Sequence, residues 1–288
     1  MDAGPDDQST QPWWRGVVPG RRLAGKRAFV TGAGMLAGGE LFGIGEAIAV
    51  LFAAQGAAVA VADVSRARAE ATVELISGRG GMAMATVGDL SSISDSERCV
   101  SQADDALGGL DTVVNCAALP GGGGSPVDVA IETWEQVMAV NLHATFLTAR
   151  HAIPRLRRAG GGSIVNISSV AASRGHGSGA YAASKAAMLG LTRDWAYLHG
   201  RDGIRVNCIL PGHVHTPMGL SGGEEMREIR RACGLLGTEG DAWDVAWPAV
   251  FLASEESRWI TGVELPVDAG TTSSGALAIH VLNSRSPV

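Results

Sequence analysis

The stretch that decides the fold is TGAGMLAGGELFGIGEAIA, residues 31–49. The apolar run KRAFV precedes it and predicts a short buried strand, and the run GEAIAVLFAAQG predicts a helix that ends at a glycine. A strand, a glycine-rich turn and a helix together hold phosphate groups, because free backbone N–H groups and the positive end of the helix dipole meet there. The middle of this stretch is long, since ten residues separate Gly32 from Gly43.

The long middle predicts an excursion, residues 35–42 (MLAGGELF), that bulges from the phosphate-binding turn. We expect Gly43, Ile44 and Gly45 still to open the helix, because glycine lets a phosphate approach the backbone closely. A carboxylate would sit poorly beside a pyrophosphate, so Glu40 is expected to face solvent. A flexible turn without a ligand is the alternative interpretation of so glycine-rich a segment.

Strands and helices alternate from residue 26 onward, and the strands show little polar alternation, which is typical of a parallel sheet covered on both faces. The predicted strands are RAFVT, AAVAVAD, MAMATV, LDTVVNCA, GSIVNIS, IRVNCIL and VELPVD. This order predicts a single-domain α/β fold: a Rossmann-type doubly wound parallel sheet of about seven strands with helices on both faces. We expect a flexible arm over 1–24, the domain over 25–270 and a tail over 271–288.

Composition excludes several function classes. The 288 residues are 46% hydrophobic and carry a net charge of −6, so no general attraction to nucleic acid or anionic membrane is expected. The N-terminus has no signal-peptide pattern and no segment resembles a membrane span. Four cysteines show no metal or disulfide spacing, which favours the reducing cytoplasm and no metal site.

Asp63 ends the second predicted strand and indicates the nucleotide that is bound. A carboxylate there can accept hydrogen bonds from the adenosine ribose and would repel a 2′-phosphate, so the prediction is NAD rather than NADP. Arg66 could weaken this preference, and Asp63 could instead cap the following helix. Asp89, after the third strand, is placed to meet the adenine amino group or to cap a helix.

The sharpest chemical signal is YAASK, residues 181–185, within a predicted helix. Residues i and i+4 share one helix face, so Tyr181 and Lys185 point the same way. A nearby ammonium lowers the pKa of a phenol from its reference value near 10 and prepares it for general acid–base chemistry. The serines of IVNISS, at the end of a nearby strand, could hold a substrate oxygen beside the tyrosine.

These features together make the chain resemble the short-chain dehydrogenase/reductases over about residues 26–270. The resemblance is carried by TGAG…GIG at 31–45, Asp63, Asp89, NCAA at 115–118, Asn141, ISS at 167–169, YAASK at 181–185, PGHVHTP at 211–217 and ITGVELPVDAG at 260–270.

The resemblance implies a catalytic set of Asn141, Ser169, Tyr181 and Lys185. Tyr181 would exchange a proton with substrate, Lys185 would bind the nicotinamide ribose and lower the tyrosine pKa, and Ser169 would orient the substrate oxygen. Asn141 would hold a water that links Lys185 to solvent. Together with Tyr181 and Lys185, the implied cofactor-binding residues are Gly32, Gly34, Gly43, Ile44, Gly45, Asp63, Asp89, Leu90, Asn115, Ala117, Pro211, Gly212, Val214 and Thr216.

Two features depart from the family pattern. The loop between the first two glycines is about seven residues longer than usual. The serine is usually 13 residues before the tyrosine, a spacing that fits Ser168, whereas the local motif favours Ser169 with a one-residue deletion after it. Both serines therefore stay candidates.

The predicted function is NAD(H)-dependent hydride transfer between a secondary alcohol and its ketone. An epimerase or dehydratase of the same fold and a non-catalytic nucleotide-binding scaffold are the alternatives. His176, His213 and His215 are candidate substrate contacts. The resemblance also implies a homotetramer formed through the helices predicted at 131–157 and 179–199, with core or interface area from Trp134, Val137, Phe146 and Trp195.

Overall fold

The strands of the computed structural model form one sheet. The structure describes residues 20–36, 41–121, 123–220 and 222–284. Within these ranges the strands are β1 (Arg27–Thr31), β2 (Ala58–Asp63), β3 (Met82–Val87), β4 (Thr112–Asn115), β5 (Gly162–Ile167), β6 (Ile204–Pro211) and β7 (Glu264–Val267). Their order across the sheet is β3-β2-β1-β4-β5-β6-β7, and every neighbouring pair is parallel. The predicted doubly wound sheet is confirmed.

The helices connect successive strands. They are α1 (Ile44–Ala54), α2 (Arg66–Ser77), α3 (Ile93–Leu107), α4 (Ile131–Met138), α5 (Ala144–Arg158), α6 (Ala180–His199), α7 (Gly223–Ala232), α8 (Ala242–Ala253) and α9 (Ala276–Asn283). The chain runs from β1 outward to β3 and then returns to place β4 on the other side of β1. The strand order reverses between β1 and β4, and ligands of such sheets bind at this reversal, beyond the carboxyl ends of the strands.

The sheet has an apolar core on each face, since successive side chains of a strand point to opposite faces. Val30 of β1 packs in the cluster that contains α1 and α8, whereas its neighbour Phe29 packs with α3, α5 and α6. Both side chains are fully buried. This burial on two sides explains why the strands are continuously apolar and why the site loops have a rigid base.

The helix predicted over 131–157 contains an interruption. Between α4 and α5 lies a π-helical turn, Ala139–His143, with Asn141 fully buried at its centre. A single π-turn adds only one residue to an otherwise α-helical run, so the apolar pattern of the sequence did not reveal it. Such turns often occur at functional sites, and this one aims Asn141 at the loop that follows β4.

Candidate active site

The turn after β1 retains the geometry of a phosphate-binding loop. Gly32 has φ +63°, and a Cβ at this position would lie 2.6 Å from the Cα of Ala117. A Cβ on Gly45 would lie 2.3 Å from the carbonyl oxygen of Gly32, so both positions require glycine. Helix α1 begins at Ile44 with Gly43 as its N-cap, which confirms the prediction that Gly43, Ile44 and Gly45 open the helix.

The two ends of the excursion, at Met35 and Phe42, are held by contacts with the rest of the domain. At its start, the backbone N–H of Met35 donates to the carbonyl oxygen of Arg68 (3.0 Å). At its end, the buried ring of Phe42 packs on Trp243 of α8 with the ring centroids 4.8 Å apart. Glu40, predicted to face solvent, lies outside the described residues.

Asp63 is held by three groups at the end of β2. Its carboxylate accepts the backbone N–H of Gly34 (3.1 Å) and of Ser65 (2.9 Å), and it pairs with the guanidinium of Arg68 (3.0 Å). The cation that pairs with Asp63 is Arg68 and not Arg66, whose guanidinium pairs with Glu70 on the same helix. The alternative that Asp63 caps the helix is wrong, since Ser65 is the N-cap of α2.

Asp89 and Leu90 follow β3 at the same edge of the sheet. Asp89 accepts hydrogen bonds from the backbone N–H (2.9 Å) and the hydroxyl (2.6 Å) of Ser91. Helix α3 is capped by Ser92, so Asp89 is not a helix cap. Leu90 is buried among the apolar residues beneath the edge.

The loop after β4 is joined to the loop after β1. The hydroxyl of Thr31 accepts the backbone N–H groups of Cys116 (2.9 Å) and Ala117 (3.1 Å). Asn115, in contrast, turns its side chain into the sheet, where its amide donates to Asn166 (2.9 Å). The side-chain amide of Asn115 therefore joins β4 to β5. Of the two predicted cofactor residues Asn115 and Ala117, it is Ala117 that lies against the glycine turn.

The loop after β6 closes the other side of the crevice. A Cβ on Gly212 would lie 2.6 Å from the Cβ of Asp268, so the chain crosses the end of β7 too closely for a larger residue. Pro211 ends β6, Thr216 is buried, and Val214 packs against the core on the α1 and α8 side. The predicted residues of this loop thus lie at the carboxyl edge with those of the first four loops.

The residues predicted to be catalytic converge at the start of α6. Ser169 lies beside the phenol of Tyr181 and acts to lower its pKa. The ammonium of Lys185 lies 5.6 Å from the centroid of the tyrosine ring. Lys185 is buried and donates to the carbonyl oxygen of Ile167 at the end of β5 (2.7 Å).

Burial controls the pKa values of this pair. It raises the pKa of the Tyr181 phenol, and the hydrogen bond from Ser169 offsets part of that rise. It lowers the pKa of Lys185 to about 8, since a buried ammonium is poorly solvated. The expected lowering of the tyrosine pKa is therefore not what the structure shows, because desolvation of the phenol outweighs its neighbours.

The two candidate serines differ in their contacts. The hydroxyl of Ser168 is buried and donates to the backbone carbonyl of Lys185 (2.7 Å). The hydroxyl of Ser169 accepts the backbone N–H of Ala171 (3.2 Å) and contacts Tyr181. The geometry favours Ser169 as the substrate-facing serine, with Ser168 anchoring β5 to α6.

The side chain of Asn141 joins two segments of the site. Its oxygen accepts the backbone N–H of Leu119 (2.7 Å), and its amide nitrogen donates to the carbonyl of Leu119 (3.0 Å) and to the hydroxyl of Ser184 (3.1 Å). Both amide protons are occupied, so the side chain holds the loop after β4 against α6. That Asn141 also holds a water linking Lys185 to solvent stays a prediction.

Histidines line the side of the cleft where substrate is expected. The rings of His176 and His213, from the loops after β5 and β6, stack with their centroids 5.8 Å apart. Burial, His176 and Arg230 together lower the pKa of His213, which keeps that ring neutral at neutral pH. His215 lies apart, with its ring nitrogen 4.0 Å from Glu239.

Sequence reasoning missed three residues of the site. Arg68 occupies the first turn of α2, where a basic side chain can reach back to the strand end. Ser184 stands inside YAASK, and its hydroxyl donates to the carbonyl of Tyr181 (2.8 Å). Glu46 directly follows Gly45 and lies in the first turn of α1. An acidic residue at this position can accept a hydrogen bond from the backbone N–H of the N-cap residue, and this was the signal in the sequence.

Neither a membrane span nor a metal cluster is found in the described part of the chain. None of its helices is both long and apolar enough to cross a bilayer. Among the described residues, no group of three or more His, Cys, Asp or Glu side chains could hold a metal ion.

Comparison with known proteins gives the same picture as the geometry. The family described as enoyl-(acyl carrier protein) reductase matches residues 39–272. A 2,5-dichloro-2,5-cyclohexadiene-1,4-diol dehydrogenase from Sphingobium indicum is 36% identical over 250 residues, which cover 86% of this chain and 97% of that protein. A (3R)-3-hydroxyacyl-CoA dehydrogenase from Rattus norvegicus is 39% identical over 259 residues, covering 86% and 97%.

Solved structures agree with these relatives. A short-chain dehydrogenase/reductase from Burkholderia xenovorans superposes with a TM-score of 0.83 at 36% identity, covering 88% of this chain and 99% of the other. A dehydrogenase/reductase from Sinorhizobium meliloti 1021 gives a TM-score of 0.79 at 36% identity, covering 89% and 99%. Fold, site and relatives agree, and the chain belongs to the short-chain dehydrogenase/reductase family of oxidoreductases.

Proposed function

We propose that the chain is an NAD(H)-dependent oxidoreductase that transfers hydride between nicotinamide and a secondary alcohol or its ketone. The observation that carries the proposal is the placement of the Ser169 hydroxyl and the buried Lys185 ammonium beside the Tyr181 ring. A scaffold that only binds a nucleotide has no need of a phenol, a hydroxyl and a buried ammonium placed together. Relatives that act on ring alcohols, such as the cyclohexanol dehydrogenase of an Acinetobacter strain (32% identical), support the substrate class.

The residues at the strand reversal fit a dinucleotide. Glycine at positions 32 and 45 keeps the turn open where any side chain would strike backbone. The first N–H groups of α1 are free to bind a pyrophosphate at the positive end of the helix. Asp63 would meet the adenosine ribose, and Lys185 the ribose next to nicotinamide.

Each catalytic side chain has a separate task in the proposed reaction. Nicotinamide, when bound, supplies or accepts the hydride. Tyr181 donates its proton to the carbonyl oxygen during reduction and takes the proton back during oxidation, and Ser169 holds the same oxygen by a hydrogen bond. The Lys185 ammonium stabilises the phenolate that remains after the proton has left, which is why a charge buried this deeply is retained.

NAD is the proposed cofactor, although Arg68 weakens the argument from Asp63. The carboxylate still disfavours a 2′-phosphate, and it retains the two backbone hydrogen bonds that fix its position. Its ion pair with Arg68 offsets part of the negative charge. We therefore propose a preference for NAD that is moderate in size and not absolute.

We also propose a homotetramer that acts on small molecules in the cytoplasm. An apolar groove of about 650 Å³ lies between α4, α5 and α6 and is lined by Met138, Leu142, Phe146 and Leu191 among others. Phe146 and Trp134 are about two-fifths exposed, whereas Val137 and Trp195 are buried in the subunit. A second copy of the same face, packed on this groove, would cover the exposed rings.

The test is turnover against a panel of secondary alcohols with NAD⁺ or NADP⁺, followed by the absorbance of the reduced nicotinamide. We expect turnover with NAD⁺ and a loss of at least about 10²-fold in Tyr181→Phe, because the phenol proton is removed while the ring remains. NADH fluorescence should show that this variant still binds nucleotide. Nucleotide binding without turnover across the panel, or full activity of Tyr181→Phe, would contradict the proposal.

A further inference from the structure

Glu46 occupies an unusual place for an acidic side chain. It is 1% exposed, in the first turn of α1, next to the N–H groups proposed to bind the pyrophosphate. Its Oε2 accepts the backbone N–H of Gly43 (3.3 Å), and the backbone N–H of Leu36 also acts on the carboxyl. Its Oε1 is buried and has no hydrogen-bond partner among the described residues.

The two N–H groups belong to the two sides of the excursion. Leu36 stands where the chain leaves the turn, and Gly43 where it returns to the helix. The Leu36 side chain also lies over Gly43, since a Cβ placed there would be 3.7 Å from Leu36 Cδ1. The Glu46 carboxyl therefore bonds to the side of the excursion that returns, at Gly43, and lies beside the side that leaves, at Leu36.

No opposite charge neutralises this carboxyl within the described residues. The ionisable groups on the elements packed against α1 have other partners: Asp63 pairs with Arg68, while Asp241 and Asp244 cap the start of α8. Arg27 lies at the opposite end of β1 and pairs with Asp111. A carboxylate without a counter-charge and a pyrophosphate at one helix end would repel each other across an interior of low dielectric.

We propose that Glu46 takes up a proton when the nucleotide pyrophosphate binds, and that the neutral carboxyl then keeps Gly43 and Leu36 in place beside the start of α1. The proposal rests on the proposed function in that it assumes a dinucleotide at this turn. The free Oε1 is the atom that can carry the proton. Glu46 is thus a positioning residue that links nucleotide affinity to pH.

Burial gives the direction of this link. It raises the pKa of Glu46 to about 7, against an ordinary value of 4.5, so the folded chain holds this proton more tightly than the unfolded chain. Ionisation of Glu46 therefore removes stability as pH rises from the unfolded value towards 7. A bound pyrophosphate raises the pKa further, so affinity for the nucleotide should fall as pH rises above about 7.

The experiment measures NADH dissociation constants by fluorescence from pH 6 to 8.5, and proton uptake by calorimetry in two buffers with different ionisation enthalpies. We expect the wild-type dissociation constant to rise about tenfold between pH 7 and 8.5, with up to one proton taken up on binding. Glu46→Gln should change less than about threefold and take up less of a proton. Glu70→Gln, an exposed carboxylate of α2, is the matched control and should follow the wild type.

Lys185 titrates in the same range in every variant, so the difference between variants isolates Glu46. Proton uptake by the wild type needs no substitution and tests the proposal even if Glu46→Gln does not fold. Equal proton uptake and parallel pH profiles in wild type and Glu46→Gln would overturn the role of Glu46 alone. Failure of every variant to bind NADH at any pH would overturn the proposed function as well.

Discussion

At the residue scale, two adjacent serines end β5 and do different work. Ser168 bonds to the backbone of α6, whereas Ser169 lies beside the side chain that is proposed to move the proton. The extended backbone at the strand end turns them to opposite sides. One therefore supports the site and the other belongs to it.

Replacing each serine by alanine should separate the two roles. Ser169→Ala should lower kcat by about 10²–10³, because a hydrogen bond to the reacting oxygen is lost. Ser168→Ala should lower the free energy of unfolding by roughly 1–3 kcal/mol, since a buried carbonyl loses its partner, and should change kcat little. Urea unfolding and steady-state rates measure the two effects, and a reversed pattern would assign the substrate contact to Ser168.

Arg68 sets how strongly Asp63 discriminates between NAD and NADP. Arg68→Ala removes the cation that pairs with the carboxylate but leaves its two backbone hydrogen bonds. The uncompensated charge should repel a 2′-phosphate more strongly and raise the KM for NADP⁺ about tenfold, which corresponds to about 1.4 kcal/mol. The KM for NAD⁺ should change less than about threefold.

The control for Arg68 is Arg66→Ala, which removes an arginine from the same helical turn. Arg66 points to Glu70 on the surface, so its loss should leave both KM values unchanged. If Arg68→Ala keeps the ratio of the two KM values of the wild type, the ion pair plays no part in the choice of cofactor.

At the element scale, the turn between β1 and α1 survives its long excursion because both sides are anchored. Glu46 holds Leu36 and Gly43, and Phe42 is buried against Trp243. The anchors lie on α1 and α8, two helices that pack on the same face of the sheet. The excursion is thereby tied to the rigid core, and the glycines keep the positions that a phosphate needs.

Phe42→Ala should release the returning end of the excursion. Removing a buried phenyl ring leaves a cavity and should lower the free energy of unfolding by about 3 kcal/mol. It should also weaken NADH binding, because Gly43 and Ile44 follow directly in the chain. Tyr197→Ala is the control, since Tyr197 is 85% exposed and should change stability little. A Phe42→Ala protein as stable as this control would contradict the anchoring.

How far the elements could be predicted depends on whether the signal is local. The seven strands, the helix predicted at 179–199 and the opening of α1 follow from apolar runs and glycines in the sequence. The π-turn at Asn141 does not, because one added residue in a long helix changes the apolar pattern too little to be recognised. The contact between Asn141 and Leu119 depends on how separate segments meet, which propensity does not encode. The pair Asp63–Arg68 is local, but the sequence offers both Arg66 and Arg68, and only the folded turn decides between them. The raised pKa of Tyr181 depends on burial of the assembled site.

The basic runs at 154–158 and 227–231 also show that the sequence alone does not reveal which charges are paired in the fold. Both read as patches of positive charge, yet their arginines are paired within the subunit. Arg155 and Arg158 meet Asp104, Arg157 meets Asp202, and Arg227 meets Glu239. Pairing with these carboxylates reduces the positive charge that the two runs could offer to nucleic acid, in agreement with the expectation from the net charge of −6.

At the scale of the whole molecule, six loops from one edge of the sheet enclose the site. In the proposed function, the loops after β1, β2 and β3 would hold the nucleotide, and those after β4, β5 and β6 would carry the catalytic residues. Thr31 and Asn141 each bind the loop after β4, so that loop connects the two halves. A substitution of Thr31 or of Asn141 should therefore disturb both halves of the site.

The groove between α4, α5 and α6 bears on assembly, since it includes the π-turn residue Ala139 and leaves Phe146 42% exposed. A second copy packed there would press on the helix that carries Tyr181 and Lys185 and on the turn that carries Asn141. Association would then stabilise the catalytic residues directly. This would favour an apolar side chain such as Phe146 at the contact.

Light scattering after size-exclusion chromatography tests this arrangement. The wild type should have the mass of four chains, and Phe146→Glu should have a lower mass, because a buried carboxylate at the contact is strongly unfavourable. Met82→Glu, on the edge strand β3 and 67% exposed, is the matched control and should keep the wild-type mass. The smaller Phe146→Glu species should also lose activity, since the π-turn and α6 lose their support. A monomeric wild type, or a Phe146→Glu protein of unchanged mass, would show that the groove does not form a subunit contact.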